Sequence, residues 1–290
     1  MKKVIGLCSL ALLMLLSGCK DARTGLSNGN EALITVGNHS ITKNDVYDGL
    51  KNKNGTTAVI SKVTNFLVDK EVPVTDAMRE EAKETLKKFK ETLGADPFNQ
   101  YLSSMNMTEE NYLEEKVLPT VRAQYLTTAY IDSNYDEIKK DYEIRKVQIF
   151  QTSDSKVAVE VQEKVKNGEL TIEEAVKKYK GVTTTYTGKD QIVTNKSKLS
   201  KDTWSNILAV TENDTLLDVY QYSSDLTAFY VIKVIETDVS LEDAKSSLEA
   251  ITSIGDDAFA FYLKKYNFRV YDIDLYNGIK SQNESYLVQD

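Results

Sequence analysis

Residues 142–167 read YEIRKVQIFQTSDSKVAVEVQEKVKN, and the hydrophobic pattern of the chain changes here. The first part alternates, which predicts a β-strand with two distinct faces. One face carries Ile144, Lys146, Gln148 and Phe150, and the other carries Arg145, Val147, Ile149 and Gln151. The part that follows, from Asp154 to Asn167, has helical spacing and stops before Gly168, which predicts an amphipathic helix.

The next seventy residues continue this mixed pattern. Further elements are predicted as a helix in TIEEAVKKYK (171–180), strand and turn over 182–193, a helix over 201–210, and strands over 216–222 and 228–236. Residues 142–238 therefore predict a β-α-α-β-α-β-β segment. The fold class expected for the whole chain is α+β.

Helical patterns flank this segment on both sides. Residues 33–139 are mostly helical after a short strand at 33–36, with Thr42 as an N-cap and Asp45 at capping-box spacing. Residues 241–278 open with a helix capped by Ser240. They close with FRVYDIDLYNG, whose alternation predicts a terminal strand over 268–275 that pairs with 33–36. The polar tail over 279–290 is expected to fray.

The amino terminus has the pattern of a targeting signal. Residues 1–19 read MKKVIGLCSLALLMLLSGC, with two lysines before an apolar run too short to span a bilayer comfortably. Leu16-Ser17-Gly18-Cys19 closes the run and resembles the lipobox of bacterial lipoproteins, which implies lipidation of Cys19. The alternative is an ordinary secretory signal that happens to contain Cys. Residues 20–32 are small and polar and predict a tether.

Composition excludes several classes of protein. The chain has 290 residues, a net charge of −8, one histidine and two cysteines. The acidic balance disfavours a nucleic-acid binder. The low histidine and cysteine counts exclude disulfide scaffolds and His- or Cys-based metal sites, and no nucleotide-binding or hydrolase motif is present. We therefore expect neither metal nor cofactor.

Three stretches together resemble the PrsA-type foldase lipoproteins of Gram-positive bacteria and, more distantly, the chaperone SurA. These are the lipobox, the opening VGNHSITKNDVYDGLKN, which is similar to the family's V-N-G-x-x-I-T-x-x-x-[FY], and the parvulin-like segment from IRKVQIF to DVYQYSSDLTAFYVIKV. The resemblance implies a helical chaperone domain built from 33–139 and 241–278, with a parvulin-type peptidyl-prolyl isomerase domain inserted at 142–238.

The resemblance also implies location and partners. The protein would be lipid-anchored through Cys19 on the outer face of the cell membrane of a Gram-positive bacterium. Its partners would be unfolded or newly secreted polypeptides, with a homodimer left open. The other class of function that fits is a surface lipoprotein binding module without chaperone activity.

The chain departs from the parvulin pattern at the active-site positions. Gln148 stands where the first strand of the family carries a histidine, and Tyr230 stands where the last strand carries a second one. The stretch VTTTYTGKD (182–190) has no clear counterpart of the expected Cys or Asp. Leu199, Trp204 and Leu208 are the expected apolar proline-pocket residues. We expect weak or absent isomerase activity; alternatively, Gln148 and Tyr230 are core polar residues of a degenerate domain.

Overall fold

The computed structural model describes residues 23–179, 186–223, 225 and 227–289. The predicted signal peptide and the lipidation at Cys19 lie outside these residues. The helices are α1 Lys43–Leu50, α2 Thr56–Glu71, α3 Asp76–Leu93, α4 Ala95–Ser104, α5 Glu109–Tyr112, α6 Leu118–Tyr142, α7 Ser155–Lys166, α8 Ile172–Lys178, α9 Lys201–Ala209, α10 Leu241–Glu249, α11 Thr252–Lys265 and α12 Ile273–Gln282. The strands are β1 Ala32–Val36, β2 His39–Thr42, β3 Arg145–Thr152, β4 Gln191–Val193, β5 Thr215–Leu216, β6 Gln221–Tyr222 and β7 Phe229–Glu236.

The chain divides into two compact units and has an α+β fold. Unit 1 combines residues up to 129 with residues from 252 onward, and unit 2 spans 130–251. Within the described ranges, no helix has the length and apolarity needed to cross a bilayer.

Unit 1 opens with a hairpin that leads directly into a helix. β1 pairs with β2 in antiparallel fashion across a turn at Gly37, whose φ of 61° suits a residue without a side chain. Thr42 then caps α1: its side chain accepts a hydrogen bond from the Asp45 N–H, and the Asp45 carboxylate accepts one from the Thr42 N–H. The predicted capping box is therefore present.

The core of unit 1 is helical, and its buried side chains come from both ends of the chain. They include Leu67, Ala82, Leu86, Phe98, Leu102, Val121, Ile254, Ala258, Leu263 and Ile279. Pro119 lies two residues past the end of a π-helical turn at Leu113–Val117, which has helical backbone angles at both junctions, so the helical segment continues from α5 through the proline into α6.

The predicted terminal strand over 268–275 is wrong. Residues 268–272 form no strand, and α12 begins after Asp272, whose carboxylate accepts hydrogen bonds from the N–H groups of Asp274 and Leu275. β1 pairs instead with its sequence neighbour β2. The alternation over 268–275 favours a strand, but the Asp272 side chain caps the first turn of a helix and so stabilises α12 instead.

The tail and the tether also differ from expectation. Residues 284–286 form a 3₁₀ turn, and the Tyr286 hydroxyl donates to Asp256 Oδ1 at 2.7 Å, so the segment is held. At the other end, the N–H and the hydroxyl of Thr24 both donate to Asp272 Oδ2 at 2.8 Å. The part of the predicted tether from Arg23 onward is therefore packed onto unit 1.

Unit 2 contains a five-stranded antiparallel sheet with helices on both faces. The order is β4-β3-β7-β5, and β6 also pairs with β7. On one face, Phe150 and Val231 pack with side chains of α7 and α8. On the other face, Val147, Ile149, Tyr230 and Ile232 pack with Ile207 of α9. We call these the α7/α8 face and the α9 face.

Unit 2 extends beyond the boundaries expected for the insert, 142–238. It includes the second part of α6, which is interrupted at Asn134, and the whole of α10. The Tyr135 hydroxyl donates to the carbonyls of Val239 and Ser240, and Lys245 pairs with Asp132 at 2.6 Å. These contacts hold the end of α6 and α10 in unit 2. Helical periodicity in the sequence does not show to which unit a helix belongs.

Candidate functional site

The register between β3 and β7 decides which side chains of unit 2 share a surface. Gln151 pairs with Tyr230, and Gln148 pairs with Lys233. Directly opposed residues in an antiparallel pair project to the same face, and neighbours along a strand project to opposite faces. Tyr230 therefore lies on the α9 face and Gln148 on the α7/α8 face.

Gln148 has its own polar partner on the α7/α8 face. Its Nε2 donates to Asp190 Oδ1 at 2.7 Å, and Asp190 immediately precedes β4. The sheet therefore separates Gln148 from Tyr230, the two positions at which the resemblance implies histidines. A shift of one residue in the register of β3 on β7 would place Gln148 and Tyr230 on the same face, and a single sequence does not reveal that register.

Three hydrogen-bonding side chains cross the α9 face in a line. Tyr230 on β7 is flanked by its two cross-strand partners, Gln151 on β3 and Gln221 on β6. Gln221 is buried; its Nε2 donates to the Val219 carbonyl, and its Oε1 accepts from Asn206 Nδ2 at 2.7 Å. Gln151 Oε1 is buried and has no hydrogen-bond partner among the described residues. We call Gln151, Tyr230 and Gln221 the polar row.

Apolar side chains surround the polar row. Tyr186, Leu199 and Trp204 are half-buried and pack against the cluster that contains Tyr230, and the Tyr186 and Tyr230 rings meet edge-on at 5.8 Å. Trp204 Nε1 donates to Glu143 Oε2 at 3.0 Å, which fixes the indole orientation. Leu199 and Trp204 thus lie beside Tyr230, and their role in binding stays a prediction.

Leu208, the third predicted pocket residue, is half-buried on α9 but does not belong to this cluster. Ile207, one position earlier, is fully buried there instead. In the stretch 182–190, residues 182–185 lie outside the described residues. Tyr186 lies on the α9 face, and Asp190 lies on the α7/α8 face, where it accepts from Gln148.

Burial keeps the phenols of this site neutral. It raises the pKa of Tyr186, with a smaller effect of Tyr230, and it raises the pKa of Tyr230, with a smaller effect of Asp225. The polar row thus offers neutral amide and hydroxyl groups, which donate and accept hydrogen bonds but do not act as a base or nucleophile at neutral pH. The chain's one histidine, His39, lies in the unit 1 hairpin.

A groove of about 500 Å³ opens beside the polar row. Gln221, Asn206 and Leu217 contribute to its wall, together with residues between the end of α9 and β6. An extended polypeptide segment can lie in an open groove of this kind, next to hydrogen-bonding groups that recognise its backbone.

Unit 1 carries a separate aromatic surface on α3, α4 and α5. The rings of Phe89, Tyr101 and Tyr112 lie 5.8–6.3 Å apart, and Phe98 is buried beneath them. Phe89 and Tyr101 are exposed. Exposed rings supported by a packed aromatic layer offer rigid apolar contact area for another chain.

Residues 127–246 match the family described as the PPIC-type PPIase domain. The chain is also 28% identical over 173 residues to foldase protein PrsA 1 of Listeria monocytogenes, covering 58% of this chain and 54% of that protein. It is 27% identical over 173 residues to foldase protein PrsA of Geobacillus kaustophilus, covering 58% and 57%. The chain is a relative of the PrsA foldases and carries a PPIC-type domain.

The match spans a little over half the length of these PrsA relatives. Among solved structures, PrsA of Bacillus cereus is similar, with 20% sequence identity, a TM-score of 0.43, and coverage of 89% of this chain and 100% of that one.

Sequence reasoning missed Gln151 and Gln221 of the polar row. The alternation of β3 had already placed Gln151 with Val147 and Ile149, away from Gln148. A signal for Gln151 was therefore present in the pattern. Gln221 could be found only through the pairing of β6 with β7.

Proposed function

We propose that this PrsA relative is a lipid-anchored foldase or holdase for newly secreted polypeptides, and that its PPIC-type domain binds proline-containing segments with weak or absent isomerisation. The observation that carries the proposal is the polar row of neutral groups beside half-buried Leu199 and Trp204. In this proposal Leu199 and Trp204 supply apolar area for a proline ring, and the polar row supplies hydrogen-bonding groups for the adjacent amide.

The weak catalysis follows from the chemistry of the polar row. Isomerisation twists an amide across a barrier of roughly 18–20 kcal/mol and needs groups that bind the twisted amide better than the planar one. The polar row hydrogen-bonds through amide and phenol groups, which do not reproduce the paired imidazoles that the resemblance implies. Removing one preorganised donor typically costs about 100-fold or more in rate, by analogy with oxyanion-hole deletions.

Holding of unfolded chains would use apolar surface in unit 1. The aromatic surface around Phe89 and Tyr101 supports this assignment because it is exposed and rigidly backed by Phe98. Such a surface binds unfolded clients without any catalytic group, so holdase activity and isomerase activity are separable in this chain.

The test compares two activities of the chain from Lys20 to Asp290. We expect it to suppress aggregation of an unfolded client while isomerising a proline tetrapeptide at least about 100-fold more slowly than a two-histidine parvulin. Isomerisation at the parvulin rate would contradict the catalytic part. Failure to suppress aggregation of any client would favour a binding module without chaperone activity.

Anchoring is tested by fractionation of cells that express Cys19→Ala. We expect the variant to leave the membrane fraction, since removing the acylated cysteine removes the anchor. Cys8→Ala is the matched control, because Cys8 lies within the apolar run and should leave attachment unchanged. Retention of Cys19→Ala at the control level would contradict lipidation at this residue.

A further inference from the structure

The start of unit 1 is held by a buried charge cluster. Asp272 is 2% exposed and pairs with Lys51 Nζ at 3.1 Å, and Asp274 contacts the same nitrogen at 3.0 Å. Asp272 Oδ2 also accepts two hydrogen bonds from Thr24. Because this carboxylate is buried and shared, the backbone at Thr24 has a defined position on unit 1.

The defined position of Thr24 limits the distance from unit 1 to Cys19. Five residue steps separate Cys19 from Thr24. A fully extended chain spans at most about 3.6 Å per residue, so the two Cα atoms lie within about 18 Å of each other. An acyl chain on Cys19 would therefore hold this end of unit 1 next to the lipid headgroups.

The same end of unit 1 exposes several apolar side chains. We call them the hairpin patch, and they are Leu26, Leu33, Ile34, Val36, Val46 and Leu50. Every residue of β1 is exposed, and Val36 has 68% of its surface accessible. A two-stranded hairpin with apolar side chains open to water is costly unless another apolar phase covers it.

We propose that the hairpin patch lies against the lipid bilayer, with its apolar side chains in the interfacial layer. The inference rests on the proposed anchoring at Cys19, which places the patch within reach of the membrane. Interfacial binding of this kind buries an apolar face roughly 5–10 Å into the boundary between headgroups and acyl chains. The protein would then present unit 1 to the membrane in one orientation.

The far end of unit 1 supplies a matched control position. α1, a π-helical turn at Lys51–Gly55 and α2 have helical backbone angles at both junctions, so they form one continuous segment of 8, 5 and 16 residues. At 1.5 Å per residue, this segment separates the hairpin from Val74 by about 40 Å. Val74 is exposed, like Val36.

The experiment labels Val36→Cys or Val74→Cys with an environment-sensitive fluorophore in a chain that begins at Lys20 and therefore lacks Cys8 and Cys19. A histidine tag before Lys20 attaches the chain to vesicles of phosphatidylcholine and phosphatidylglycerol that contain a nickel-chelating lipid. Nitroxide-bearing phosphatidylcholine then quenches any label that reaches the acyl region. We expect at least about twofold quenching at Val36 and none at Val74.

Equal quenching at the two positions would overturn the proposal. A disulfide that forms between Val36→Cys chains in solution, together with an unquenched Val36 label on vesicles, would show that a second copy covers the patch instead, and would also overturn it. Loss of quenching at Val36 when an unfolded client is added would assign the patch to clients and would also overturn the proposal. The tag replaces the acyl chains in this experiment, so quenching at Val36 supports membrane contact of the hairpin patch independently of lipidation. Retention of Cys19→Ala on the membrane in cells would contradict only the anchoring at Cys19.

Discussion

Gln151 and Tyr230 stand directly opposite each other on adjacent antiparallel strands of unit 2, and both face α9. Gln148, three residues before Gln151, faces the other side and bonds to Asp190. The hydrogen-bonding side chains that share the α9 face are therefore those of the polar row. This relationship makes the two glutamines of β3 a matched pair for mutation.

Gln151→Ala should weaken binding of a proline-containing tetrapeptide, and Gln148→Ala should not. Loss of one hydrogen bond is worth about 0.5–1.5 kcal/mol, which raises the dissociation constant by about 2–10-fold. Trp204, the only tryptophan of the chain, packs beside the row, so its fluorescence reports binding. A larger effect of Gln148→Ala than of Gln151→Ala would disprove the assignment of faces.

Histidine pairs test the strand register without reference to activity. Gln151→His with Tyr230→His places two imidazoles on directly opposed positions, with Cβ atoms about 4.5–5.5 Å apart. We expect Ni²⁺ to bind this pair and raise the free energy of unfolding by about 1–3 kcal/mol at excess metal. Gln148→His with Tyr230→His should show no such gain, because the sheet separates the two side chains. Equal stabilisation of both pairs would refute the register.

Asp272→Ala should destabilise unit 1 by about 1.5–3 kcal/mol, because it removes the acceptor of the Thr24 N–H and one of the two carboxylates that contact Lys51 closely. Asp48→Ala is the control: Asp48 is exposed and 3.8 Å from the same lysine, and such pairs contribute about 0–1 kcal/mol. Urea unfolding followed by circular dichroism measures both. Similar losses in the two variants would mean that the buried cluster contributes little.

Acid should lower the free energy of unfolding of unit 1 by protonating the Asp272 carboxylate. Burial opposes ionisation of Asp272, but hydrogen bonds from Thr24, Leu275 and Lys51 outweigh it and hold its pKa well below the ordinary value. Its stabilising contribution is therefore complete above an unfolded-state pKa of about 3.9 and is lost as the pH falls below that value. The free energy of unfolding should fall more steeply below about pH 4 in the wild type than in Asp272→Asn. Parallel curves for the two proteins would contradict this.

Local patterns in the sequence were enough to predict much of the secondary structure. The Thr42–Asp45 capping box, the Ser240 cap and the two faces of β3 all depend on residues within a few positions of one another. Hydrogen bonds and side-chain alternation over such short distances follow from backbone geometry alone.

Tertiary structure decided the features that join distant residues. The register of β3 on β7 joins strands about eighty residues apart, and it placed Gln151, not Gln148, beside Tyr230. The segment 268–275 had a strand pattern, yet the Asp272 carboxylate, shared by Thr24 and Lys51, caps a helix there. A single sequence shows which side chains alternate on a strand. Which distant partner it meets depends on the packing free energy of the whole unit, because a one-residue shift in register moves every side chain to the other face.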